Sequence, residues 1–264
     1  MTPMLGLESS ESTDITQLDT VGITAQRDND MNAELDEALI KTLQTVDTPT
    51  VCNALELLLP KRRGYGFTTS QLVCTRPELP PMVGYARTAT IRAAHPSDLS
   101  GKEARALSDG YYEYIDRGPK PSIAVIQDLD GNNGYGCLWG EVNSSIHKGF
   151  GCQGVITDGG VRDVPDIAPG FQMLAASVLP SHAFVHVVDY ARPVDVAGMR
   201  VTDGDIIHAD QHGAVVIPAD LMGQIKAAAE QLARREAVII SAAQRPDFDI
   251  EKLRQAQGEA AEIH

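Results

Sequence analysis

The sequence predicts a single domain of mixed α/β (or α+β) class, with a flexible N-terminal arm in front and a long C-terminal helix behind. Three observations predict it. Apolar strand-like runs and helical periodicities mix from residue 33 onward without an internal repeat. A chain of 264 residues, 43% hydrophobic and 22% charged, is long and apolar enough to bury one large core or two small ones. Residues 1–32 are rich in Ser, Thr, Asp and Asn and show little periodicity, as a flexible arm does. The expected boundaries are an arm over 1–32, the main domain over 33–219, and a C-terminal helix and tail over 220–264.

Each element has its own signal. A helix is expected over 33–46, with Leu35, Leu39, Ile40 and Leu43 on one face. Thr48 as N-cap and Pro49 as first helical residue open a second helix through Leu59, which Pro60 stops. Residues 71–74 and 84–92 read as strands, 101–117 as helix, and 122–129 as a short apolar strand. Residues 131–140 form a Gly-rich turn that holds Trp139. A helix over 141–150, a strand over 154–158 and a tight loop at Gly159-Gly160 follow. Further strands are expected at 176–179, 183–188, 205–208 and 214–217. Pro218, with Asp220 in the first turn, then opens a helix to about Ala243, and Pro246 bars its continuation.

The bulk properties exclude several functions. No apolar run approaches the roughly 18 to 20 residues that span a bilayer. The opening residues lack the basic and apolar regions of a secretory signal, so a cytoplasmic location is expected. A net charge of −14, with no basic cluster longer than Lys61-Arg62-Arg63, argues against a nucleic-acid partner. Cys52, Cys74, Cys137 and Cys152 match no zinc or redox spacing and read as buried or incidental thiols.

The chemistry concentrates between Gly140 and Asp163. Gly140 lets the backbone approach a ligand, and the following helix N-terminus offers free N–H groups to an anion. After the 154–158 strand, Arg162 and Asp163 emerge together at a carboxyl end, where α/β folds place ligands. Arg162 supplies a planar fork for a carboxylate and Asp163 an oxygen for a hard cation. Read alone, the same residues also suit an ordinary turn with a solvated ion pair.

The segment resembles the signature of the RraA-like family, which includes regulators of ribonuclease E activity and class II aldolases of 4-hydroxy-4-methyl-2-oxoglutarate and 4-carboxy-4-hydroxy-2-oxoadipate. The resemblance runs through Gly140-Glu141, Gly151, Gly154, Gly159 and Arg162-Asp163. Echoes lie at Gly84-x-Ala86-x-Thr88, Gly204-Asp205 and Asp210-x-x-Gly213-Ala-Val-Val-Ile-Pro218. It implies a swivelling β/β/α-type domain and a homotrimer or homohexamer with sites between subunits. Asp163 would be the protein ligand of Mg²⁺ or Mn²⁺, and Arg162 would contact a small 2-oxo acid. The backbone of Gly140, Glu141, Val142 and Asn143 would hold the substrate carboxylate, with Glu141 orienting a water. An acidic residue of a neighbour's helix, Glu230 or Glu236, could complete the site. Two positions depart from the family pattern: Glu141 replaces the usual Asp, and Asn53 stands where many members carry Asp.

The resemblance thus implies a metal-dependent lyase that releases pyruvate from a 4-hydroxy-2-oxo acid and decarboxylates oxaloacetate as a side activity. The alternative it leaves is a non-catalytic regulator that binds a ribonuclease. Other constellations read as structural. His182 and His186 fall in a strand without a carboxylate partner, His147 is expected on the helix surface, and Tyr111, Tyr112 and Tyr114 have core spacing. Ser144-Ser145 lack a nucleophile elbow, and no lysine sits where a Schiff-base aldolase needs one.

Overall fold

A computed structural model describes residues 35–131 and 134–264; the expected arm over 1–32 lies outside the described residues. Helix α1 spans Glu37–Leu43, shorter than expected because Asp36 caps it, accepting from Leu39 N at 2.7 Å. Leu35 is buried ahead of the helix rather than in it. Helix α2 (Thr48–Leu58) is capped by Asp47, which accepts from Thr50 N, and not by Thr48. Thr48 sits one position inside the helix, where its N–H and hydroxyl meet Asp210 and buried His208. The Nε2–H of His208 donates to Leu43 O, so its Nδ1 accepts from Thr48.

The strands are β1 (Val73–Cys74), β2 (Met82–Arg92), β3 (Ser122–Asp128), β4 (Cys137–Trp139), β5 (Cys152–Val161) and β6 (Gln172–Val178). They continue as β7 (His186–Tyr190), β8 (Val194–Val196), β9 (Met199–Val201), β10 (Ile206–Asp210) and β11 (Gly213–Ile217). One curled sheet runs β1-β6-β5-β3-β2-β10-β11, with β4 on β5 and β7 on β2. β2, β3, β5 and β6 are parallel, and β4 joins β5 in parallel. β1, β7 and β10 pair antiparallel with their neighbours. Helix α3 (Gly101–Arg117) opens with a capping box of Ser100 and Glu103. Helix α4 spans Glu141–Gly149, and α5 (Ile225–Ala243) follows a six-residue 3₁₀ segment, Ala219–Gln224, not a helix begun at Pro218.

Strand alternation assigns the core. Ala124 and Ile126 of β3 face a cluster with Tyr111, Trp139 and Phe171 under α3 and α4; Ile123 and Val125 face the β8–β9 hairpin. The third cluster joins α2 and α5 to Val215 and Ile217 of β11.

Several elements differ from expectation for identifiable reasons. Gly159 and Gly160 are not a tight loop: β5 continues through them to Val161, with a register shift between Thr157 and Gly160. The chain turns instead at Asp163, whose φ of 52° and ψ of 37° are left-handed. The stretch 131–140 holds β4. Val194-Asp-Val-Ala-Gly-Met-Arg-Val201 is a hairpin, turning at Ala197 and Gly198, both of positive φ. Helix α6 (Ile250–Ala261), capped by Asp249, occupies the expected tail and packs on α5.

Candidate functional site

Parallel pairing of β4 with β5 sets the site. Trp139 registers with Val161, and Arg162 N donates to Trp139 O at 2.9 Å. Two parallel strands end at one edge, so Gly140 and the Arg162-Asp163 pair leave the sheet side by side. The left-handed turn at Asp163 aims its carboxylate back at α4. Asp, with a short polar side chain, tolerates that conformation better than most residues.

The approach is close. A methyl group on Gly140 would lie 2.5 Å from Asp163 Oδ2 and 3.2 Å from Arg162 Cγ. Glu141 N donates to Asp163 Oδ2 over a long 3.4 Å, and Arg162 Nε lies 3.4 Å from the same oxygen. Both side chains are more than a third exposed, so this pair is held weakly and remains open to a ligand. Among the described residues the two Nη groups of Arg162 meet no acceptor. The structure therefore brings Gly140, Glu141, Arg162 and Asp163 together.

Helix α4 presents its first amides without a side-chain cap at Gly140. The side chains of Glu141 and Val142 are exposed. The side chain of Asn143 is committed elsewhere: it accepts from Tyr112 OH at 2.7 Å and donates to Leu138 O. Only its backbone faces the expected role. Ser144 is buried, donating to Glu141 O and accepting from Ala168 N.

His147 is not on the surface. It is fully buried, 4.4 Å from the Trp139 ring, and burial pushes its pKa down to about 4. Asn143 O can only accept, so Nδ1 carries the proton and Nε2 accepts from Tyr111 OH at 2.8 Å. This neutral imidazole fixes the helix that carries the site. His182 lies before β7 and His186 within it; among the described residues each ring hydrogen-bonds with a nearby backbone carbonyl alone, Ala183 O and Phe184 O. The four cysteines are free, Cys137 and Cys152 buried, and burial pushes Cys52 up to about 11.

A cleft of about 830 Å³ lies elsewhere, lined among others by Gln127, Asp128, Asp158, Asp195 and Gly198. Burial raises Asp158 to about 6, while its Oδ1 accepts from Asp128 N at 2.6 Å. No sequence pattern marks this pair, because Asp128 and Asp158 are brought together by the pairing of β3 with β5. Arg162 and Asp163 do not line that cleft. Glu230 and Glu236 lie on α5, which packs against α2 and α6, and Asn53 is on the exposed side of α2.

Among the described residues no three His, Cys, Asp or Glu side chains gather as a metal cluster, and no helix is long and apolar enough to cross a membrane. Asp163 offers one solvent-facing carboxylate. That donor set suits Mg²⁺ or Mn²⁺, which keep most of their waters, and not Zn²⁺, which takes three or four protein ligands.

Known proteins share this architecture. A solved protein of Pseudomonas syringae superposes with a TM-score of 0.61 at 20% identity, covering 85% of this chain and 98% of that one. Streptomyces coelicolor RraAS2, described as an unusual member of the RNase ES inhibitor RraA protein family, gives 0.60 at 24% identity, covering 80% and 98%. At these identities the likeness shows the fold. In sequence, Legionella pneumophila DlpA is 29% identical over 116 residues, 42% of this chain and 18% of that protein. The protein MJ0644 of Methanocaldococcus jannaschii is 31% identical over 115 residues, 42% of this chain and 55% of that one. The chain thus spans about half or less of the curated relatives it matches. Residues 48–216, which include β4, α4 and β5, match the RraA-like (Aldolase/RraA) family, and the chain belongs to that family of lyases and ribonuclease regulators.

Proposed function

We propose that this chain is a divalent-cation-dependent lyase that cleaves a 4-hydroxy-2-oxo acid to pyruvate and a second oxo compound. The observation that supports it is the convergence of the Arg162 guanidinium, the Asp163 carboxylate and the Glu141 amide on Gly140. A simple surface pair would not need a glycine pressed against it.

Asp163 would hold Mg²⁺ or Mn²⁺, which when bound supplies a Lewis acid for the keto oxygen and carboxylate. The amides of Glu141, Val142 and Asn143, at the positive end of α4, would orient the substrate carboxylate. The free Nη groups of Arg162 would donate to the keto oxygen as negative charge develops there. Stabilisation greater in the transition state than in the ground state lowers the barrier. Glu141, directly or through a water, would accept the 4-hydroxyl proton while the C3–C4 bond breaks. The pyruvate enolate then takes a proton at C3. Decarboxylation of oxaloacetate generates the same enolate, so it is the expected side activity. Glu141 reaches one methylene further than Asp, which would shift the proton-accepting position and with it the preferred substrate.

A trimer or hexamer would bring an acidic residue from a neighbour, with Glu230 and Glu236 the candidates on α5. The reading also places the protein among soluble cytoplasmic enzymes that act on small acids without nucleic acid or membrane. The test is pyruvate release from hydroxylated 2-oxo diacids and oxaloacetate with Mg²⁺ or Mn²⁺, with and without EDTA. Arg162→Ala and Asp163→Ala should each lower turnover at least ~10²-fold. Full turnover in both variants removes the lyase reading. Metal-independent capture of a ribonuclease, with no turnover on any of these acids, supports the regulator in its place.

A further inference from the structure

The 3₁₀ turn Pro60–Arg62 carries a cation that the rest of the described chain does not neutralise. Arg62 is 9% exposed, its Nη1 has no hydrogen-bond partner, and no described carboxylate lies within 4.0 Å of it. Glu56, the nearest acid on α2, is taken by Arg63 Nε at 2.7 Å. Cys52 stands beside it as a neutral thiol. Among the described residues, the Tyr65 ring lies 5.8 Å from the guanidinium carbon, and the Asp205 carboxylate acts on the charge only from beyond 4.0 Å.

The surroundings hold the guanidinium in place. Gly66, at φ +88°, lies flat against it: a Cβ there would be 3.0 Å from Cζ, 3.1 Å from Nε and in collision with Nη2. The Gly66 loop is tied to the sheet through Val216 N to Gly66 O at 2.8 Å and a bridge between Phe67 and Val215. The cavity in front has about 10 Å³ of room and is walled by Cys52, Leu55, Phe67 and Val215, with Glu56, held by Arg63, also on its lining. That is space for one water-sized group. A guanidinium cannot shed its proton, and an uncompensated buried charge is strongly unfavourable. A water could fill the space but would leave the charge.

From this geometry we infer that Arg62 is a carboxylate-binding site, accepting one carboxylate oxygen into the cavity and the other at its mouth beside Tyr65. The carboxylate is either a free small acid or the acidic side chain of a second copy of this chain. The site stands apart from the Arg162-Asp163 cleft, so the inference does not depend on the proposed lyase reaction.

The full-length protein is titrated with sodium acetate at constant ionic strength. The ¹⁵N-detected Nε–H signal of Arg62 and the melting temperature are followed alongside Arg62→Met and the surface control Lys61→Met. For a free acid, the Arg62 signal moves saturably and the melting temperature rises by about 3 °C near saturation. Lys61→Met keeps that response and Arg62→Met loses it, independent of protein concentration. For a second copy, acetate competes: the wild-type oligomer dissociates at higher protein concentration as acetate rises, and Arg62→Met starts dissociated at that concentration. Should Arg62→Met fail to fold, Arg62→Lys replaces it, and the Nε–H titration of the wild type stands alone. An Arg62 signal insensitive to acetate, with oligomerisation unchanged by the substitution, means a water fills the cavity and overturns the inference.

Discussion

Protonation of His147 should unlock the helix that presents the site. The imidazole is fully buried against Trp139, donates to Asn143 O and accepts from Tyr111 OH, and burial holds its pKa near 4 against 6.5 for a free histidine. The unfolded chain therefore binds a proton between pH 6.5 and 4 that the folded chain refuses. Stability from this group is complete above pH 6.5 and is lost as the pH falls toward 4. A separation of roughly 2.5 units at 1.36 kcal/mol each is about 3 kcal/mol. No part of the ring is exposed, so water does not screen this loss. Since carboxylates titrate in the same window, the effect is read as a difference. Urea unfolding of the wild type and of His147→Asn is followed from pH 7.5 to 4. The wild type should lose about 3 kcal/mol more than the variant, with the steepest divergence below pH 6.5. Parallel curves would refute the buried neutral imidazole and the tautomer assigned from it.

Three further outcomes follow from the same contacts. Gly140→Ala should leave the melting curve nearly unchanged, because φ there is extended, yet displace the Asp163 carboxylate by about 1 Å. On the lyase reading that costs ~10²-fold in kcat/KM and weakens the Mg²⁺ requirement; a wild-type rate contradicts it. Asp158, raised to about 6 by burial, disfavours the fold increasingly as the pH climbs from 4 past 6. Asp158→Asn, still accepting from Asp128 N, should be about 2 kcal/mol more stable than wild type at pH 8 and converge with it at pH 4 in denaturant titrations. Gly154→Ala drives a methyl into Gln172 O and Met82 Sδ where β5 meets β6, and should cost about 3 kcal/mol by the same measurement.

Local signals were enough for much of the fold. The capping box at Ser100, the β-branched run 122–128, and the helix over 141–149 all depend on contacts within a few residues, so pattern and propensity reveal them. The order Gly140-Glu141, Gly154 and Arg162-Asp163 pointed to the region where the structure brings Gly140, Glu141, Arg162 and Asp163 together. Asp47 outcompeted Thr48 as cap, because the tertiary partners Asp210 and His208 claim Thr48. Gly159-Gly160 reads as a turn, but β4 on one side and β6 on the other pair with Gly160 and carry β5 through it. The β8–β9 hairpin and α6 had legible signals, the alternation around Ala197-Gly198 and the cap Asp249, which the broader pattern obscured.

What the residues determined alone was the class of the fold, most of its elements and the two short motifs that share the candidate site. What only the tertiary structure decided was adjacency. The three-residue strand β4 is too short to declare itself, yet its parallel register with β5 sets Gly140 against Asp163. The same holds for the burial of His147 and for the unpaired charge of Arg62. Burial and pairing depend on what long-range folding packs around a side chain, and no spacing along the chain encodes the distance between Gly140 and Asp163, 23 positions apart.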